Sequence, residues 1–168
     1  VLEKNNILFL DLSPENLLYV DVSDGVNQVK LFDADSFINL KELEHVNELI
    51  YNPAYVWPRI EKHLVYGHSF KQKKKSYLIP YAAVYSFAVI AYEILFGHRP
   101  TESELQFDEE QVSFLQDVLF EQGLDPKMAK ELTALLKTMF TDERSKAEGV
   151  YRKLNDLYHR AGSLKYQK

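Results

Sequence analysis

The stretch from Ile79 to Phe96, IPYAAVYSFAVIAYEILF, constrains this chain most. A segment this apolar must leave water, either into a protein core or into a bilayer. Its length is about that of a membrane span, but its content favours a core. Pro80, Ser86 and Glu93 interrupt it, and Tyr81, Tyr85 and Tyr92 are spread along it. We expect a buried central helix at 81–96, ended by Gly97. The alternative is a membrane-anchored interaction protein that uses residues 79–96 as a span.

A buried helix needs cover, and the downstream sequence supplies it. Glu109 to Glu121 is amphipathic, with Val112, Leu115, Val118 and Leu119 on one side. Asp125 reads as the N-cap of a helix with Pro126 at its first position. That helix runs to about Phe140 through Met128, Leu132, Leu135, Leu136 and Met139, with both methionines in the core. Glu102 to Phe107 is a polar connection, Thr141 to Arg144 a turn, and Lys146 to His159 a last helix. The tyrosines are expected to pack with their hydroxyls reaching the surface.

Upstream lies a different pattern. Ile7 to Phe37 reads ILFLDLSPENLLYVDVSDGVNQVKLFDADSF. Ile7 to Leu10 is a short apolar strand. Leu17-Leu18-Tyr19-Val20 and Val29-Lys30-Leu31-Phe32 flank a Ser23-Asp24-Gly25 turn, which predicts a β-hairpin. Asp11-Leu12-Ser13-Pro14-Glu15-Asn16 and Asp33-Ala34-Asp35 stand at its open end. Such a cluster suits a divalent cation and phosphate oxygens, because hard cations prefer oxygen ligands. The expected fold is mainly α (α+β overall), a small β-hairpin plus a helical bundle, in a single domain over 1–168.

Composition narrows the chemistry. The absence of cysteine excludes disulfides, thiolate zinc sites and cysteine nucleophiles. A net charge of −5 gives no reason to expect nucleic acid as a partner. No basic-then-apolar leader follows Val1, so we expect a cytoplasmic location and no membrane partner. His63 and His68 make a poor ligand pair, and no zinc site is expected. The Lys71–Lys75 run reads as a solvated loop. Val1 to Asn6 reads as the tail of a helix, Asn39 to Tyr51 as partly helical, and Arg59 to Leu64 as a helical turn or two.

The first cluster resembles the catalytic loop of protein kinases, where an aspartate is followed five positions later by an asparagine, as Asp11 is by Asn16. Asp33 falls where that family keeps its metal-binding aspartate. Asn52-Pro53-Ala54-Tyr55-Val56-Trp57-Pro58 resembles the segment that closes a kinase activation loop. Residues 84–100 resemble the central helix of the C-terminal lobe, and Thr141 to Arg144 the turn before its last helix. Asp33-Ala34-Asp35-Ser36-Phe37 is similar to a bacterial kinase-like branch with an Asp-x-Asp-Ser-Phe motif, including proteins associated with tellurite resistance. The resemblance implies a protein-kinase-like C-terminal lobe. Asp11 would be the catalytic base and Asn16 and Asp33 the metal ligands. Ser13 and Asp35 would be auxiliary, and Asn52, Pro53 and Tyr55 would lie on the substrate side. ATP and Mg²⁺ would serve the parent protein, a serine/threonine phosphotransferase acting on a protein substrate.

The chain departs from that family in specific places. Phe9-Leu10 replaces His-Arg, Ser13 replaces a lysine, and Ala83 replaces an aspartate early in the central helix. Arg59 replaces the glutamate that pairs with the arginine matched here by Arg144. Breaking a buried pair costs roughly 3–5 kcal/mol, so Arg144 is expected to have another acidic partner or to be exposed. There is no glycine-rich loop, no strand lysine and no helix glutamate to pair with it. The expected partner is therefore an N-terminal kinase lobe absent from the chain. The isolated lobe is expected to be inactive and to bind no cofactor tightly. The alternative is a pseudokinase, a binding or scaffold module without catalysis.

Overall fold

The computed structural model describes residues 5, 7–20, 28–39, 50–60, 78–142 and 145–165. The expectations for 1–4, the Ser23-Asp24-Gly25 turn, 40–49, the stretch 61–77 and Glu143-Arg144 lie outside these residues. The protein is mainly helical with two small antiparallel sheets, and it divides into two compact units, Val1–Ile90 and Ala91–Lys168. Each is described by itself.

In the first unit, strand β1 (Ile7–Phe9) pairs with β4 (Phe37–Asn39), and β2 (Leu17–Val20) pairs with β3 (Gln28–Leu31). The inner ribbon is the expected hairpin. The outer one is an addition to the sequence reading, which carried no strand beyond Phe37. Its register sets Ile7 against Asn39, Leu8 against Ile38 and Phe9 against Phe37. Leu8, Phe9 and Ile38 are buried, and the Phe9 and Phe37 rings meet at 4.7 Å. Aromatic and aliphatic cross-strand contacts of this kind make a three-residue ribbon viable. On the inner ribbon Leu17, Tyr19, Val29 and Leu31 share one face, because directly opposite residues point the same way. Tyr19 and Val29 remain 62% and 64% exposed.

Helix α1 (Leu78–Phe96) starts ahead of Pro80, which a first helical turn tolerates. From Tyr81 to Ile90 it is buried over most of its circumference. Ser86 donates to the Ala82 carbonyl at 3.1 Å, satisfying a hydroxyl that would otherwise be stranded. Trp57 packs edge-on against Tyr81 at 4.9 Å. Among the described residues no helix is long and apolar enough to cross a membrane.

The second unit begins within α1, which Gly97 terminates at φ +78° while donating to the Glu93 carbonyl at 2.9 Å. It continues with α2 (Glu109–Glu121), α3 (Pro126–Thr141) and α4 (Ala147–Lys165), α2 packing on α3 and α3 on α4. Asp108 caps α2 by accepting from Gln111 N–H at 2.8 Å. Gly123, at φ +94°, closes α2 with a pair of bonds, Gly123 N–H to Phe120 O and Leu124 N–H to Leu119 O. Asp125 then accepts from Lys127 and Met128 N–H at 3.0 and 3.1 Å. Asp125→Ala should lower stability by about 1 kcal/mol in urea unfolding, since two orphan helix donors lose their acceptor. α4 runs beyond His159 to Lys165, and Arg160 grips the Glu131 carboxylate of α3 with both terminal nitrogens. Leu115, Leu119, Leu136 and Met139 form the centre of this unit.

One expectation about the tyrosines fails here. Tyr92 is fully buried, hydroxyl included. It sits in an aromatic group with Phe96, Phe140 and His98. Tyr92 lies on the side of α1 that meets Phe140, whereas Ile94, two positions on, is 77% exposed.

Candidate functional site

The site is built from two chain segments held between the ribbons. The first, 10–16, leaves β1 and enters β2. The second, 32–36, leaves β3 and enters β4. Pairing of β1 with β4 and β2 with β3 brings both segments to the same end of the hairpin. The Phe32 N–H donates to Asn16 O at 2.8 Å and extends the inner ladder by one step. Asp33 therefore follows directly on the residue bonded to Asn16.

Leu10 and Ser13 are each 1% exposed and anchor the first segment from below. Pro14 opens a 3-10 turn, Pro14–Asn16, with Ser13 extended before it and Leu17 extended after it. Asn16 N–H donates to Ser13 O at 3.1 Å. This turn swings the Asn16 amide back over Asp11. Its Nδ2 donates to the Asp11 carbonyl at 2.9 Å and to Asp11 Oδ2 at 2.7 Å. Two acceptors on Asp11 fix which end of the amide is nitrogen. Asn16 Oδ1 is consequently turned away from Asp11 as an oxygen donor. Both residues are half-buried.

Asp33 adopts φ +59°, a left-handed conformation that favours glycine but that aspartate visits more readily than most residues. Its Oδ1 accepts from Asp35 N–H at 3.3 Å across the 3-10 turn Ala34–Ser36. Asp33 and Asp35 are exposed, whereas Ser36 is buried and its hydroxyl has no partner among the described residues.

The third segment joins through Asn52. Its Oδ1 accepts from Ala54 N–H at 3.0 Å and its carbonyl from Tyr55 and Val56 N–H, both at 3.1 Å. Its Nδ2 reaches Glu15 Oε2 at 3.5 Å, a long contact between exposed groups. Pro53 is exposed, but Tyr55, Val56 and Trp57 are buried. Of the three expected substrate-side residues, Pro53 is exposed, Asn52 half-buried and Tyr55 buried.

The structure thus brings Asp11, Asn16 and Asp33 to one corner and keeps Ser13 out of it. Among the described residues no three His, Asp or Glu side chains converge on a point that could hold a metal ion. The oxygen groups that the two segments bring near one another are the Asn16 amide and the Asp33 carboxylate, with Asp11 bonded to the amide nitrogen. Magnesium accepts such a set when one or two carboxylates share it with water and phosphate.

One polar cluster in the second unit was missed in sequence. Thr101 N–H and Oγ1 donate to Glu104 Oε2 at 2.7 and 2.8 Å, and Glu104 N–H donates to Thr101 Oγ1 at 3.3 Å. This is the reciprocal bonding of a capping box, and the Thr-x-x-Glu spacing of Thr101 to Glu104 was its signal. Burial works most strongly against the Glu104 carboxylate. The Thr101 N–H, the His98 ring, the Thr101 hydroxyl and the nearby Tyr92 hydroxyl overcome it and pull Glu104 down to about 2.

No protein-family model matches the chain, and no curated protein matches it.

Proposed function

We propose that this chain is the C-terminal lobe of a protein-kinase-like phosphotransferase. In this reading Asp11 receives the substrate hydroxyl proton, while Asn16 Oδ1 and the Asp33 carboxylate hold magnesium. The observation that carries it is the Asp11–Asn16 contact of 2.7 Å at the mouth of a hairpin whose other strand delivers Asp33. Phosphoryl transfer needs little covalent chemistry from the protein. It needs oxygen ligands for a metal and an acceptor placed for one proton. Magnesium supplies charge neutralisation at the phosphates. The chain supplies the side chains that orient it. An N-terminal lobe would bring the rest of the nucleotide cleft.

A pseudokinase is the second reading, and one observation favours it. Ser13, where the family carries a lysine, is 1% exposed, and Leu10 before Asp11 is equally buried. Neither offers a cation to a transferring phosphate. Nucleotide binding without turnover would select this reading.

The metal assignment is testable on this chain with Mn²⁺ as a paramagnetic probe. Weak binding should broaden the amide resonances of Asn16 and Asp33 first, leave α2 to α4 sharp, and lose its focus in Asp33→Ala. Equal broadening in the variant would remove Asp33 from the ligand set.

A further inference from the structure

His98 lies in the connection between α1 and α2, far in sequence from the acids of the hairpin. Its Nδ1 sits 3.1 Å from the Phe96 carbonyl, and its Nε2 sits 2.9 Å from Glu104 Oε1. A carbonyl oxygen can only accept. The Glu104 carboxylate is already an acceptor, since its other oxygen takes two hydrogen bonds from Thr101. Both ring nitrogens must therefore donate, and a neutral imidazole has only one N–H. We propose that His98 is held as an imidazolium and acts as a pH-sensitive latch that closes the 97–107 connection against the end of α1.

The surroundings agree with a cation. Phe96 contributes one of the last carbonyls of α1, where the helix dipole favours positive charge. From the same helix the Tyr92 ring meets the imidazole edge-on at 5.7 Å. Glu104 faces the imidazole from the 3-10 turn Glu104–Gln106. Burial, and then the neighbouring Glu104, push the Tyr92 hydroxyl well above its usual 10.0, so Tyr92 stays neutral here. From α2 the uncharged Gln111 amide faces Tyr92. From α3 Lys137 is committed to the Phe107 carbonyl at 2.8 Å. The bond to Glu104, then the bond to Phe96, hold His98 above its usual 6.5.

A raised histidine contributes stability that is complete below its unfolded value of 6.5 and is lost as pH rises through its folded value. A lowered glutamate contributes stability that is complete above 4.5 and is lost as pH falls toward about 2. The latch is closed between these limits and opens on the alkaline side when one ring nitrogen loses its proton.

The test is NMR of the whole chain. At pH 6 the His98 ring nitrogens should both show protonated shifts, with a titration midpoint above 6.5. Amide exchange at Thr101, Leu105 and Phe107, corrected for its intrinsic pH dependence, should lose protection roughly two- to fivefold between pH 6 and pH 9. His98→Gln should flatten that change at the low level and His98→Arg at the high level. A single-tautomer ring at pH 6 would overturn the proposal. So would protection that is flat with pH in the unaltered protein, or that changes equally in His98→Gln. The side chain is half exposed, and the ring titration requires no variant, so the proposal stays testable even where a replacement alters the Tyr92 contact.

Discussion

Phe107→Gly should leave the protein more stable than Phe107→Ala, the reverse of the usual order. Phe107 is 1% exposed and stacks near Phe140 at 5.7 Å, so either truncation should cost about 3–5 kcal/mol. Its backbone, however, stands at φ +49°, which costs an L-residue roughly 1–2 kcal/mol. Alanine keeps that cost and glycine removes it. Glycine elsewhere loses roughly 0.5–1 kcal/mol through its freedom in the unfolded chain. The balance leaves Phe107→Gly ahead of Phe107→Ala by on the order of 0.5–1 kcal/mol. The Lys137 bond reaches the backbone carbonyl and survives both changes. Urea unfolding of the two variants beside the parent reads the order directly. Alanine above glycine would show that the left-handed backbone costs less than glycine's freedom in the unfolded chain.

On the proposed function, Asp11→Asn should lower phosphate transfer by roughly 10²–10⁴-fold in the protein that joins this lobe to a nucleotide-binding one. The replacement is close in shape and loses the proton acceptor. It keeps an amide oxygen that can accept from Asn16 Nδ2, so the contact between the two residues is retained in an uncharged form. Asp33→Ala should reduce transfer by roughly 10²–10³-fold by removing a charged ligand at the developing charge. Transfer assays at saturating magnesium, with each variant against the parent, separate the roles. Equal transfer in Asp11→Asn would remove it as base, and equal transfer in Asp33→Ala would remove it as ligand.

The helical part was legible in sequence because its signals are local. Apolar spacing located α2, and Asp125 with Pro126 announced the start of α3. Gly97 marked the end of α1. The β1–β4 ribbon was not legible, since Phe37-Ile38-Asn39 is short and its partner lies about thirty residues earlier. Such a pairing is decided by packing of Leu8, Phe9 and Ile38 and not by any run of strand-forming residues. The spacing of Asp11 and Asn16 was visible, but the amide folding back onto the carboxylate required the turn at Pro14 to be seen. Asp35 was readable as an acid beside Asp33, and its structural part is a backbone N–H. The burial of Tyr92 stayed hidden in a helix whose inward and outward faces read alike, and the two contacts of His98 lie just past its end, where no motif marks them.

The boundary between α2 and α3 has a bearing on the order of folding. The stop signal at Gly123 and the start signal at Asp125 stand two residues apart, and the backbone and Asp125 bonds that shape the turn lie within the stretch from 118 to 128, with one longer bond from Gln122 Nε2 to the Leu95 carbonyl. Closing so short a loop carries little entropic penalty, and contacts between near neighbours form fast. The α2–α3 pair is therefore the natural nucleus of the second unit. The β1–β4 ribbon must wait for a much longer loop to close around the hairpin. The Asp11–Asn16 bond, between residues five apart, belongs with the near-neighbour contacts and not with that late closure.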